Sequence, residues 1–172
     1  MSVLNTVLGA IDKTNEWLAK IASWSMVLLV FTMTYEVVSR YVFRAPTIWS
    51  YDMSYFLSSI MLMFGMAYTL KVKGHVNIDI FYGRLSGRGK AVLDVIFALL
   101  LFFPLWVLMV KAMIPHVIFA WKMHEKSWVG TWLPAVYPFK TWVTVGTITL
   151  LLQGTAEFIR DLTVAVTGGE RP

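Results

Sequence analysis

Cysteine is absent from the 172-residue chain, and charged residues make up only 15% of it. Without a thiol, the protein cannot form disulfides, use a thiolate nucleophile, ligate an iron–sulfur cluster through sulfur or hold zinc in a thiolate site. The chain also lacks a glycine-rich phosphate loop, a GxSxG element and an HExxH element. We therefore expect a protein that is not an enzyme and has no catalytic residues.

Long apolar runs dominate what is present, since 58% of the residues are hydrophobic. Four of these runs are each close to the ~20 residues that a helix needs to cross ~30 Å of hydrocarbon. The run FALLLFFPLWVLMV (97–110) does not alternate, which argues against a barrel of short strands. The sequence predicts an all-α integral membrane protein, a single domain over 1–172, with four transmembrane helices at about 21–43, 52–72, 91–115 and 136–158.

The first twenty residues form a separate feature ahead of the first span. Asp12 and Glu16 interrupt them and no basic region precedes them, so we expect a retained segment rather than a signal peptide. Several apolar side chains fall on one helical face, which predicts an N-terminal amphipathic helix lying at the membrane interface. These residues are Val3, Leu4, Val7, Leu8, Ile11 and Leu18. A simple extension of the first span is an equally compatible interpretation.

Basic residues are distributed unevenly between the two sides of the predicted bundle. Nine fall on the side that holds both termini and the second connection, and four fall on the other side. Because cytoplasmic loops are enriched in lysine and arginine, we expect both termini in the cytoplasm. The same bias explains the net charge of +5 without a nucleic-acid partner. Arg40 and Lys111 are assigned to the membrane itself.

Histidine is scarce, with only three residues in the chain. His75 lies in the cytoplasmic connection, whereas His116 and His124 lie near the outer end of the third span. A haem held by two histidines requires imidazoles at matching depth on different helices, and no pair meets that requirement. A membrane-anchor subunit of a respiratory or redox complex, which would have a similar size, is therefore kept only as the alternative function, and we expect no cofactor in this chain.

The segment TYEVVSRYVF (34–43) places two charged residues inside the first predicted span, where a lone charge is costly. Glu36 and Arg40 are four residues apart with the acid first, which favours a salt bridge on one helical face. Asp52 opens the second span at the same outer depth, and we expect it to join Arg40 or Arg44 in a small network. An ion-coupling site is the alternative. We favour a structural network because no second acid is apparent on the inner side of the spans.

The cytoplasmic connection contains a second polar group of residues, in KGHVNIDIF (73–81). His75, Asn77 and Asp79 alternate there with apolar residues. His75 and Asp79 offer two metal ligands, but no third ligand is apparent. We interpret this motif as a hydrogen-bonded turn against the membrane face, and we expect no metal site.

In this order, the features resemble the small membrane subunit of tripartite ATP-independent periplasmic (TRAP) transporters, the DctQ family. The resemblance extends from about residue 20 to residue 160. The segments that carry it are EVVSRYVF, APTIWSYDMSYFL, FGMAYTLKVKGHVNID and WLPAVYPFKTWVTVGTITLLLQG. Asp52 departs from the family pattern, in which glutamate is more usual at this position.

The resemblance implies a division of labour between three proteins in the bacterial inner membrane and periplasm. A periplasmic binding protein captures a substrate, usually an organic acid, and a large membrane subunit moves it inward with sodium by an elevator motion. The small subunit is implied to be a scaffold, with sodium bound in the large subunit. The tryptophan-containing end is similar to that of members tied to 2-oxo acids, mannitol or chloroaromatic acids. A self-contained transporter is disfavoured because the spans hold few polar groups.

The outer connections offer a surface for the binding protein. Their aromatic residues and charges of both signs suit a transient, electrostatically assisted encounter. The predicted docking residues are Trp49, Asp52, Lys122, Glu125, Lys126, Trp128 and Trp132. An ordinary interfacial belt explains the tryptophans equally well, but it does not explain the three adjacent charges.

Overall fold

The computed structural model describes residues 2–74, 85–129 and 131–168, and within these ranges every regular element is a helix. A π-helical turn, Ala98–Phe102, joins the third and fourth helices into one continuous rod. The helices are α1 (Ser2–Tyr41), α2 (Ser50–Lys71), α3 (Gly87–Phe97), α4 (Phe103–Lys122) and α5 (Tyr137–Thr167).

Four helical rods are long and apolar enough to cross a membrane, namely α1, α2, the α3–α4 rod and α5. The four predicted spans are therefore confirmed, although every helical rod is longer than its predicted span, α2 by only one residue. The α3–α4 rod passes through Pro115, where the third span was predicted to end, and continues to Lys122. A proline removes one hydrogen bond from the preceding turn without preventing the helix from continuing, and membrane helices tolerate it.

Helix α1 is one uninterrupted helix of 40 residues, which gives it a length of about 60 Å. The N-terminal segment and the first span are thus parts of the same helix, as in the second of the two interpretations. Only part of the predicted apolar face packs on the bundle: Leu8 is buried, whereas Val3, Leu4 and Val7 are exposed. The next buried side chain along this face is the polar Asn15. Packing here therefore depends on polar contacts as well as apolar ones.

Helix α5 is the central element, since it contacts α1, α2, α3, α4 and the π-helical turn. Small residues permit this close packing. A Cβ added at Gly146 would lie 2.7 Å from the Cβ of Met63 on α2, and one added at Gly154 would overlap the ring of Phe102. These contacts hold α2 and the α3–α4 rod against α5 and bring the polar side chains of different helices within hydrogen-bonding distance.

Candidate functional site: polar clusters and the outer loop

The last turns of α1 carry the predicted salt bridge. Glu36 Oε1 accepts a hydrogen bond from Arg40 Nε at 2.8 Å and also contacts Arg40 Nη2. Glu36 Oε2 accepts from the backbone N–H of Thr47 at 3.0 Å and from the Thr47 hydroxyl. Glu36 is buried, whereas more than half of the Arg40 side chain is exposed. We call Glu36, Arg40 and Thr47 the outer clamp, because they fix the connection between α1 and α2.

Asp52 lies apart from the outer clamp. It is 3% exposed in the first turn of α2, and its Oδ1 accepts from the hydroxyl of Ser127 at 3.3 Å. It forms no ion pair with any residue that the structure describes, and within the same residues its Oδ2 has no partner. The structure thus differs from the predicted network: Arg40 is engaged by Glu36, one turn away on its own helix, and the helix N-terminus favours a carboxylate at Asp52 without a basic partner.

The outer loop (123–136) connects α4 to α5, and it is described except for Gly130. The backbone N–H of Ser127 donates to the carbonyl of Pro134 at 2.8 Å, so the two arms of the loop pair with each other. The Glu125 carboxylate accepts two hydrogen bonds from Lys140 Nζ, at 2.7 and 2.6 Å, which ties the loop to α5. Together with the contact to Asp52, these bonds give the loop a fixed position on the bundle.

The predicted docking residues have different surroundings in the structure. Trp49 stacks on Tyr35 with ring centroids 5.8 Å apart, Asp52 is buried, and Glu125 is paired with Lys140. The exposed members are Lys122, Lys126, Trp128 and Trp132. Trp128 is 90% exposed, against 41% for Trp132. The surface that another protein can reach is therefore the outer loop together with the end of α4.

A second polar cluster, not expected from the sequence, joins the inner parts of α1 and α5. The Arg160 guanidinium donates to Asp12 Oδ2 at 2.7 Å and to Glu157 Oε1 at 2.6 Å. Gln153 Nε2 donates to Asp12 Oδ1 at 2.9 Å, and Asn15 Nδ2 donates to Gln153 Oε1 at 2.8 Å. We call Asp12, Asn15, Gln153, Glu157 and Arg160 the inner cluster.

The inner cluster places acids where the sequence suggested none. Asn15, Gln153 and Glu157 are all less than a tenth exposed, so their polar groups depend on one another for hydrogen bonds. The expectation that the inner side of the spans holds no acid was therefore wrong. A signal was present: Gln153, Glu157 and Arg160 recur at spacings of four and three residues, which places them on one face of a helix. The predicted fourth span ends at residue 158, so it includes Gln153 and Glu157 but excludes Arg160.

A further group of charges links α2, α3 and α5 next to the inner cluster. Lys73 Nζ lies 3.5 Å from both Asp94 Oδ2 and Asp161 Oδ1, and Lys71 Nζ lies 2.9 Å from Glu16 Oε2 on α1. These ion pairs lie at the same end of the bundle as the inner cluster, which is the end predicted to face the cytoplasm.

The predicted loop motif of His75, Asn77 and Asp79 begins two residues after Lys73. All three residues lie outside the part of the chain that the structure describes.

The outer clamp and the inner cluster are far apart along the membrane normal. Glu36 follows Asn15 by 21 residues on the same helix, a rise of about 32 Å. Between these levels, the buried threonines Thr144, Thr147 and Thr149 donate to carbonyls of α5 itself. These three hydroxyl groups therefore bond within their own helix and do not connect the two sites.

Comparison with known proteins identifies the family of this chain. The chain matches the family described as tripartite ATP-independent periplasmic transporters, DctQ component, over residues 29–164. Comparison with curated proteins gave no match. The family match includes the outer clamp, the outer loop and the α5 half of the inner cluster, while Asp12 and Asn15 precede it. The chain therefore belongs to the DctQ component family and is the small membrane subunit of a TRAP transporter.

Proposed function

We propose that this chain is the scaffold subunit of a sodium-coupled TRAP transporter that imports an organic acid. In this proposal a large membrane subunit binds sodium and carries the substrate by an elevator motion. The small subunit supports that subunit and helps to dock the periplasmic binding protein. The family supplies the type of complex, and the features of this chain support a scaffolding role within it.

The observation that carries this proposal is the mutual engagement of the side chains in the outer clamp and the inner cluster. Arg160 is shared by two carboxylates, Glu36 is held by Arg40 and Thr47, and the intervening buried threonines bond to their own helix. A substrate route needs polar groups that are accessible to a moving solute. Side chains that satisfy one another are suited instead to holding helices in register, so we assign the substrate and sodium to the large subunit and no cofactor to this one.

We further propose that both termini face the cytoplasm of a bacterium, with the outer loop in the periplasm. Single cysteines at Ser86, which caps α3, and at Thr131, in the outer loop, test this orientation in a chain without native cysteine. Both positions are exposed, at opposite ends of the α3–α4 rod. Thr131→Cys is expected to react with an impermeant maleimide on intact spheroplasts, and Ser86→Cys only after permeabilisation. Labelling of both positions from outside would contradict the orientation.

Docking of the binding protein is expected to depend on the exposed lysines of the outer surface. In proteoliposomes with both membrane subunits and a sodium gradient, Lys122→Glu with Lys126→Glu should raise the binding-protein concentration needed for half-maximal uptake, by about fivefold at low salt. The effect should shrink as salt is added, because exposed charges are screened. Glu125 is left unchanged, since reversing it would also break its ion pair with Lys140.

The matched control is Lys13→Glu with Lys20→Glu, which makes the same change in net charge on exposed residues of the inner part of α1. It should leave the concentration dependence as in the wild type. Vesicles that contain only one of the two membrane subunits should show no uptake. An unchanged concentration dependence for the outer double variant at low ionic strength would exclude the outer loop as the docking surface.

A further inference from the structure

Lys111 is an exposed charged residue that the proposed scaffold role does not explain. It lies on α4, part of the most apolar rod of the bundle, and its side chain is exposed. The other intramembrane base, Arg40, is paired with Glu36, but Lys111 forms no ion pair with any residue in the described ranges. An unpaired lysine deep in the membrane is energetically costly. When it lies on a lipid-facing helix, we therefore expect it to pair with a residue of another molecule.

The depth of Lys111 follows from its neighbours. On α5, the 20 helical steps from Tyr137 to Glu157 rise about 30 Å, the thickness of the hydrocarbon core, so Gly146 lies near its centre. The indole N–H of Trp121 on α4 donates to Thr141, and the ring of Phe102 lies against Gly154, so the level of Gly146 falls between Phe102 and Trp121 on the α3–α4 rod. Lys111 lies midway between those two residues and therefore close to mid-membrane.

Lys111 cannot easily reach water from this depth. The outer end of its helix, at Lys122, is 11 residues away, a distance of about 16 Å along the axis. Lysines that extend their charge to the interface do so from positions near helix ends, because the stem has only four carbons.

The helix at Lys111 lacks one of its regular hydrogen bonds. Pro115 follows Lys111 by four residues inside the helix and has no N–H, so the carbonyl of Lys111 lacks its usual α-helical donor. Both residues belong to one exposed face of α4, which we call the α4 stripe. It consists of Pro104, Leu108, Lys111, Pro115 and Ile118. The stripe thus presents an ammonium group in the middle of an apolar surface, on a turn of helix weakened by a proline.

We propose that the α4 stripe is the surface that binds the large membrane subunit, and that a transmembrane segment of that subunit presents a carboxylate to Lys111. The charge itself selects this chemistry, because an aspartate or glutamate at mid-membrane depth pairs with an ammonium group that lipid chains leave unsolvated. The apolar residues on either side of Lys111 supply the helix-packing surface. This inference rests on the proposed function, since it names the face that a scaffold uses.

A second copy of the chain does not fit the stripe. In a two-fold contact centred on the stripe, with its axis along the membrane normal, Lys111 of both copies would lie at the same depth near the axis, and the two ammonium groups would repel each other. Within the described residues, the acids lie at the two ends of the bundle, with Glu36 and Asp52 outside and Asp12 and Glu157 inside. Phosphate groups of lipids lie at the interfaces rather than at mid-depth. A different membrane protein with an intramembrane acid remains as the occupant.

The test is the recovery of untagged large subunit with tagged small subunit from detergent-solubilised membranes. Lys111→Met leaves the partner's carboxylate unpaired and Lys111→Glu adds repulsion, so both should lower recovery at least about tenfold. Lys111→Arg keeps the charge and should retain assembly. The matched control is Lys122→Met, which removes an exposed lysine of the same helix at its water-facing end and should also leave assembly unchanged.

Thermal unfolding of the isolated small subunit separates binding from folding. Lys111 contributes no ion pair to its own chain among the described residues, so its variants should unfold at the wild-type temperature. Changing the intramembrane acids of the large subunit to lysine, one at a time, should reveal a single position that restores assembly with Lys111→Glu. Wild-type recovery of both Lys111→Met and Lys111→Glu, or loss explained by lower thermal stability, would overturn this inference. Failure of the wild-type subunits to co-purify would instead refute the proposed function.

Discussion

Replacing Arg160 with methionine is expected to destabilise the isolated subunit by about 3–5 kcal/mol, because it leaves two carboxylates without their basic partner. Arg160 donates to Asp12 on α1 and to Glu157 on its own helix, so its loss also removes a direct bond between α1 and α5. The measurement is the thermal unfolding midpoint in lipid nanodiscs, followed by circular dichroism. A decrease of roughly 10 °C corresponds to this free energy for a chain of this size.

Two further variants make the Arg160 experiment specific. Arg88→Met is the matched control, since Arg88 is exposed and donates to the backbone carbonyl of Ala165 at 2.9 Å; its midpoint should change little. Adding Asp12→Asn and Glu157→Gln to Arg160→Met should restore most of the stability, because no uncompensated charge remains. Equal midpoints for Arg160→Met and Arg88→Met would show that the inner cluster does not stabilise the bundle.

Glu36→Gln is expected to lower both the amount of assembled transporter and the unfolding midpoint of the small subunit. The neutral amide loses the ion pair with Arg40, and a single amide oxygen cannot accept all the hydrogen bonds that the two carboxylate oxygens accept from Arg40 and Thr47. The measurements are the yield of co-purified complex and the unfolding midpoint. The double swap Glu36→Arg with Arg40→Glu should recover only part of the loss, because arginine at position 36 has no acceptor for Thr47.

The Glu36 experiment also tests the alternative role of this residue in ion coupling. Asp52→Asn is the control, since Asp52 lies outside the outer clamp and an asparagine oxygen can still accept from Ser127. It should have a smaller effect on assembly than Glu36→Gln. Normal assembly of Glu36→Gln, combined with transport that no longer responds to sodium, would favour ion coupling and contradict a structural role of the outer clamp.

The fold could be predicted largely from the lengths of the apolar runs. Four runs of about 20 residues required four spans, and the structure has four rods. The ends of the rods could not be predicted in the same way. The predicted spans end where the first charged residues lower the local hydropathy. A helix, in contrast, continues through charged residues that form ion pairs. Helix α1 therefore includes Asp12 and Glu16, and α5 extends beyond Glu157, since each of these acids is paired across or along the bundle.

The site was predictable only where the interaction is local. Glu36 and Arg40 are four residues apart, so the helical period alone brings them together. The predicted link from Arg40 to Asp52 considered only that both residues lie at a similar depth. It did not consider the direction of each side chain around its helix axis, and in the structure Asp52 faces Ser127. The inner cluster joins residues from opposite ends of the chain, and their pairing depends on which faces of α1 and α5 meet. A single sequence does not show directly which helix faces pack together.

The bond between Asn15 and Gln153 has a consequence for how the chain is made. Their positions are 138 residues apart, and a ribosome that adds about 5–20 residues per second needs roughly 7–28 s to pass from one to the other. During that interval the nascent first helix has no Gln153 or Arg160 to receive its asparagine and aspartate. The subunit therefore completes its inner cluster only when its last helix emerges, and until then Asp12 and Asn15 lack the partners that they have in the folded subunit.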